Sequence, residues 1–213
     1  MKKLYTLLAL FIFISTSLSA TETKKKKNLF EGFVITSTGD SLLGEIQFVN
    51  PVYNELKVRF YNKKGKRTIF KPRDIVEYAF KSPNLDAKTN RKVLKWVHYF
   101  RKRIDVAPLE NGFNIETIFL QRVTSGKINL YNYYTLAVSK INHRVYNHEY
   151  FVEPGGLQND NDEKISGLVP VNRNNFRAYY KEFLEENDDL AKKIGDERYG
   201  YKHFAKIIRL HNG

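Results

Sequence analysis

The 213-residue chain contains no cysteine. Disulfide bonds, cysteine-bound zinc, iron–sulfur clusters and thiol catalysis are therefore excluded, and the fold must be stabilised by packing and hydrogen bonds. A bacterial lipoprotein anchor needs a cysteine at the cleavage site, so attachment to lipid by that route is excluded as well. The sequence is thus unlike the small, disulfide-stapled domains of many secreted proteins.

Long hydrophobic runs are also absent, with one exception at the start of the chain. Lys2 and Lys3 precede the mostly apolar residues 4–14, and the small residues 15–20 follow. This order is typical of a secretory signal peptide, and the apolar run is about half of the roughly 20 residues that span a bilayer. We therefore expect residues 1–20 to be removed. The mature chain is expected to be soluble, non-lipidated and exported (periplasmic or secreted), without a transmembrane segment.

Catalytic and cofactor-binding motifs are missing too. The sequence has no G-x-S-x-G elbow, no Walker or Rossmann glycine pattern and no H-x-x-x-H pair. His143 and His148 are five residues apart, which places them on opposite faces of a strand. Asp105, Glu110 and Glu116 could supply a carboxylate pair for glycoside cleavage, but nothing in the sequence fixes their separation. We expect no metal, no cofactor and no catalysis. The alternative is an envelope hydrolase that acts on glycan or peptide.

Positive charge is plentiful but unevenly distributed. Residues 57–103 carry 16 lysines and arginines against three acids, whereas residues 149–213 carry 10 against 12. The first half should therefore attract anions. The densest basic group surrounds one predicted turn and consists of Lys63, Lys64, Lys66 and Arg67. We expect these four residues to contact an anionic envelope polymer or lipid, or an envelope protein, and export argues against nucleic acid. A basic surface that only keeps the protein soluble is the simpler alternative.

The middle of the chain has the pattern of an antiparallel β protein. Residues 21–28 are predicted to be a flexible basic leader, and from Leu29 apolar and polar residues alternate with the period of two that strands show. Gly39 supplies the positive φ of a tight turn, Gly44 predicts a bulge or sharp bend within a strand, and residues 81–91 are predicted to be a polar connector. The predicted strands are residues 31–36, 41–49, 55–61, 67–70, 75–78, 93–101, 115–123, 128–134 and 144–152.

The last part of the chain changes to the helical period, with apolar residues on one face of each segment. The predicted helices are residues 176–184, 188–195 and 201–211. Such short helices cannot bury their apolar stripes alone, so we expect them to pack on the sheet. The predicted class is α+β, mainly antiparallel β (a small curled sheet or partly open barrel plus hairpins) with two to three short C-terminal helices. One domain would span residues 29–213, with a β-rich part at 29–170 and a helical tail at 171–213.

Several short motifs lie along the mature chain in a fixed order. They are Gly32-Phe33-Val34-Ile35, Gly39-Asp40-Ser41-Leu42 with Gly44, Gly126-Lys127-Ile128 with Leu130 and Tyr131, Tyr150-Phe151-Val152 and the helical residues 176–184. Together they resemble a group of exported proteins of Bacteroidota-type Gram-negative bacteria that have no established activity. The resemblance implies export and no family active site, and some relatives are attached to outer-membrane barrels. The chain departs from that group at Asn187, where relatives often carry a nearby cysteine, and at His211, where they often carry tyrosine.

Overall fold

A computed structural model describes residues 28–85, 92–109, 112–138, 144–154, 167–178 and 200–213. The strands are β1 (Leu29–Thr36), β2 (Ser41–Gln47), β3 (Val58–Asn62), β4 (Arg67–Phe70), β5 (Ile75–Leu85), β6 (Lys92–Leu109), β7 (Gly112–Thr124), β8 (Ile128–Val138), β9 (Arg144–Pro154) and β10 (Val169–Val171). The helices are α1 (Pro51–Leu56) and α2 (Phe204–Asn212), and a 3-10 turn (Tyr201–His203) leads into α2. No helix of the described residues is long and apolar enough to cross a membrane.

All ten strands belong to one open antiparallel sheet, in the order β10-β9-β8-β7-β6-β5-β1-β2-β3-β4. Neighbouring strands in the sheet are consecutive in the chain, with one exception. β5 follows β4 in the chain but pairs with β1, on the side opposite β2. The prediction of an α+β fold dominated by antiparallel sheet with short C-terminal helices is confirmed.

The two faces of the sheet differ in what covers them. We call the face that carries Val34, Tyr78 and Leu130 the helix face, because α1 and α2 pack on it, and the face that carries Phe33 and Trp96 the outer face. Alternation along each strand separates the two sets of side chains. The core cluster under the first half of the helix face consists of Val34, Ile46, Val58, Phe60, Ile75, Tyr78, Phe80, Tyr99 and Phe119.

Helix α2 covers the second half of the helix face. Its buried residues join a cluster that consists of Ile128, Leu130, Tyr150, Val152, Val171, Phe176, Phe204, Ile207 and Ile208. At the end of the helix, the Asn212 side chain accepts the Ile128 N–H at 3.0 Å and donates to the Ile128 carbonyl at 2.8 Å. The predicted third helix is confirmed. Of the predicted first helix only residues 176–178 are described, and they are helical. The predicted second helix and the leader up to residue 27 lie outside the described residues.

The predicted strand at residues 55–61 overlaps the end of helix α1, at Glu55 and Leu56. The strand begins instead at Val58, and a helix precedes it. Asn50 caps this helix, because its side chain accepts the Tyr53 N–H at 2.8 Å, and Pro51 occupies the first helical position. Proline at that position loses no helical hydrogen bond and already has the helical φ. The Asn50-Pro51 pair is therefore the sequence signal for the start of this helix.

Two further predictions need correction. Gly44 is not at a bulge, because β2 pairs without interruption with β1 through Gly32 and with β3 through Asn62. The glycine is required by close approach: a Cβ there would lie 2.2 Å from the Tyr61 carbonyl oxygen and within 2.6 Å of the Phe60 ring. Residues 81–85 are not a connector but extend β5, because their backbone pairs with β6 despite their polar side chains.

Candidate functional site

The predicted basic turn joins β3 to β4, and one asparagine fixes its shape. The Asn62 Oδ1 accepts the N–H groups of Lys64 and Lys66, each at 3.0 Å. The Gly65 N–H also donates to the Asn62 carbonyl at 2.8 Å, and the φ of Gly65 is 74°, which glycine adopts without strain. These bonds hold the backbone of the turn in one conformation.

The structure brings all four predicted contact residues together on this turn. Lys63, Lys64, Lys66 and Arg67 are exposed, and none of them forms an ion pair with a carboxylate in the part of the chain that the structure describes. Four charges that have no carboxylate partner among the described residues produce a local positive potential that is available to an anion.

A groove of about 650 Å³ lies beside the basic turn on the outer face. Lys63 and Gly65 line one side, and Phe33, Leu43 and Trp96 line the other. Leu43 is 63% exposed and Trp96 is 45% exposed. Large exposed apolar side chains beside a charged rim are typical of interaction sites rather than of inert surface.

Aromatic rings continue across the outer face from this groove. The ring centroids of Phe33 and Trp96 are 5.6 Å apart, and those of Trp96 and His98 are 6.2 Å apart. The Lys81 ammonium lies 5.3 Å from the Trp96 ring centroid and 2.9 Å from a carboxylate oxygen of Glu31. The indole is therefore held between an aromatic neighbour and a cation while much of its surface faces solvent.

One histidine–carboxylate pair lies next to the groove. The His98 Nδ1 is 2.7 Å from the Glu77 Oε1 on the neighbouring strand, and both side chains are partly exposed. Such a pair can orient an imidazole as a general base. Within the described residues, however, no serine or threonine hydroxyl is hydrogen-bonded to His98, so the pair has no nucleophile beside it.

Of the other residues that the sequence suggests for catalysis, those that the structure describes do not come together as a site. Glu116 is exposed, while Glu110 and the Asp105 side chain lie outside the described residues. His143 also lies outside them. His148 is hydrogen-bonded to Asn132 at 2.8 Å, and burial lowers its pKa. Across the described ranges no three histidines and carboxylates are grouped as metal ligands.

Glu55, at the end of α1, has the most deeply buried carboxyl group among the described residues, and no sequence pattern indicates it. It is 2% exposed, and its Oε1 accepts the Tyr134 N–H at 2.8 Å. The pairing of β7 with β8 ends at Gln121 and Asn132, so at Tyr134 the carboxyl group takes the place of a strand. Burial raises the pKa of Glu55 from 4.5 to about 8. Its position where two strands diverge indicates a structural role.

A second buried carboxylate, Glu153, lies on the outer face, and each of its two oxygens has a polar partner. Its Oε1 lies 2.7 Å from the Lys102 ammonium, and its Oε2 accepts the Tyr131 hydroxyl at 2.8 Å. The Lys102 ammonium is also 5.1 Å from the Tyr131 ring centroid. Burial, with the negative charge of Glu153 beside it, raises the pKa of the Tyr131 hydroxyl. These bonds join β6, β8 and β9 and leave no open position for a ligand.

No known protein family, curated protein or solved structure matches the chain.

Proposed function

We propose that the protein is an exported, non-enzymatic binding protein of the cell envelope whose β3–β4 turn contacts an anionic surface or an acidic partner protein. The observation that carries the proposal is the group of exposed cations at residues 63–67, which have no carboxylate partner among the described residues. The bonds of Asn62 support it, because a fixed loop loses little conformational freedom on contact.

The test is retention of the chain lacking residues 1–20 on immobilised lipopolysaccharide and on anionic vesicles. Reversing the four charges with Lys63→Glu, Lys64→Glu, Lys66→Glu and Arg67→Glu should abolish most of the retention. The control reverses four exposed cations elsewhere, Lys127, Arg173, Arg177 and Lys202, and so changes the net charge equally. Equal loss in both variants would show that only total charge matters and would reject a specific contact at the turn.

A hydrolase of envelope glycan or peptide is the second candidate function, and the Glu77–His98 pair beside the groove is the observation that favours it. A catalytic imidazole should be indispensable, so His98→Gln should abolish the release of fragments from purified envelope glycan while leaving lipopolysaccharide retention unchanged. If the unmodified chain is retained on lipopolysaccharide but releases no glycan or peptide fragments, the hydrolase candidate is rejected and the binding proposal is not affected.

A further inference from the structure

The basic turn is not alone on its side of the molecule. The groove beside it combines the exposed side chains of Leu43 and Trp96 with Lys63 of the turn. Leu94, two residues before Trp96 on β6, shares the outer face with it and is 65% exposed. Two leucines and an indole thus stand out from the same face of the sheet, and Leu43 and Trp96 line the groove together with Lys63 of the turn.

The charges around these apolar side chains favour an anionic partner. The turn contributes four cations. Two carboxylates line the groove: Glu31 is paired with Lys81 at 2.9 Å, so these two charges offset each other, and Glu45 is the second. The rim is therefore net positive.

Resting on the proposed function, we infer that the anionic partner is a lipid bilayer, and that Leu43, Leu94 and Trp96 enter its interface while the turn binds phosphate head groups. Tryptophan is favoured at the boundary between head groups and acyl chains. Exposed leucines lose contact with water when they enter that boundary, and adjacent lysines and arginines are attracted to anionic lipid. An acidic protein partner would need an apolar patch that matches the leucines, whereas a bilayer offers an apolar layer below its head groups at every point of contact.

Trp96 makes the inference directly testable, because it is the only tryptophan in the chain. The experiment mixes the chain lacking residues 1–20 with vesicles of phosphatidylethanolamine and phosphatidylglycerol, and with vesicles of phosphatidylcholine alone. On the anionic vesicles the tryptophan emission should move to shorter wavelength and should be quenched by phospholipids brominated on their acyl chains. Neutral vesicles should produce neither effect.

Leucine variants test the apolar contact while preserving the reporter. Leu43→Ser and Leu94→Ser should each weaken vesicle binding by roughly tenfold, the effect of losing one partly buried leucine. Leu210→Ser is the matched control, because Leu210 is an exposed leucine on α2, and it should bind normally. Circular dichroism checks that all three variants are folded.

The outcomes separate this inference from the proposed function. If the chain binds the anionic vesicles but Trp96 emission does not change and the leucine variants bind normally, the bilayer inference is wrong and the electrostatic contact remains. If the chain binds lipopolysaccharide or an envelope protein but no vesicle, the bilayer inference is again wrong. Failure to bind any anionic material overturns both.

Discussion

Glu55 illustrates how burial controls a single ionisable residue in this molecule. Because its folded pKa is about 8, the folded chain holds a proton that the unfolded chain releases near pH 4.5. Between these values the unfolded state binds fewer protons, so the free energy of unfolding should fall as pH rises from about 4.5 to 8, by about 4–5 kcal/mol. Above that range the carboxyl group is ionised in both states and this decline stops.

Glu55→Gln should remove this decline, because an amide does not ionise and its oxygen can still accept the Tyr134 N–H. Urea unfolding at several pH values between 5 and 8 measures the effect. Glu45→Gln is the control, since Glu45 is exposed and should keep the pH dependence of the unmodified chain. Parallel pH profiles for the unmodified chain and Glu55→Gln would contradict this account of Glu55.

Gly44 is restricted by the close packing of its neighbours. A Cβ at this position would overlap the Tyr61 carbonyl oxygen and the Phe60 ring, so Gly44→Ala must displace backbone. We expect a loss of about 1–3 kcal/mol in the free energy of unfolding, as in other overpacked cores. Gly167→Ala, which meets no atom within 4 Å, should cost much less. Thermal unfolding of the two variants compares them, and equal melting temperatures would count against the close-approach explanation.

At the scale of elements, α2 is an integral part of the fold. Ile207 is fully buried against the sheet, whereas Leu210 on the same helix is 49% exposed. Ile207→Ala should therefore lower the free energy of unfolding by about 2–5 kcal/mol, and Leu210→Ala by less than about 0.5 kcal/mol. Urea denaturation provides the comparison. If both variants unfold like the unmodified chain, the helical tail does not contribute to the core of the sheet.

The strands could be predicted where one face is buried, because burial then imposes a period of two. This holds for β1, whose Val34 points into the core while Phe33 points outward. It fails at the end of α1, because the alternation that includes Val58 and Phe60 continues back to Glu55, which is helical. It also fails at the end of β5, because pairing with β6 rather than side-chain polarity decides that residues 81–85 are extended.

Only part of the candidate site could be predicted, because only part of it is formed by residues that are adjacent in the chain. The basic turn is formed by consecutive residues. The sequence therefore shows it directly, through the turn-forming residues Asn62 and Gly65 and the four cations next to them. The groove is not local, because Phe33, Leu43 and Trp96 come from three different strands. Its existence depends on strand order and register, which periodicity does not determine.

For the whole molecule, the separation of charge from core packing is the central feature. The helix face carries α1, α2 and two hydrophobic clusters. The outer face carries a third cluster, which consists of Ile104, Ile118, Leu120, Tyr131 and Phe151, and it also carries the groove, with the basic turn at its rim. Among the described residues, none that lines the groove belongs to any of the three clusters. Contact with an anionic surface would therefore leave the folded core undisturbed. We expect the free energy of unfolding to change little when the four turn charges are removed, even though binding is lost.

The most direct measurement is the affinity of the chain lacking residues 1–20 for anionic vesicles across a range of salt concentrations. It is made on the unmodified chain and on one in which Lys63, Lys64, Lys66 and Arg67 are replaced by glutamine. At about 1 kcal/mol for each cation near an anionic membrane, the neutralised chain should bind about a thousandfold more weakly at low salt. The two affinities should converge as the Debye length falls from about 30 Å at 0.01 M to about 3 Å at 1 M salt. Equal affinities at low salt, or binding by the unmodified chain that does not depend on salt, would contradict the account.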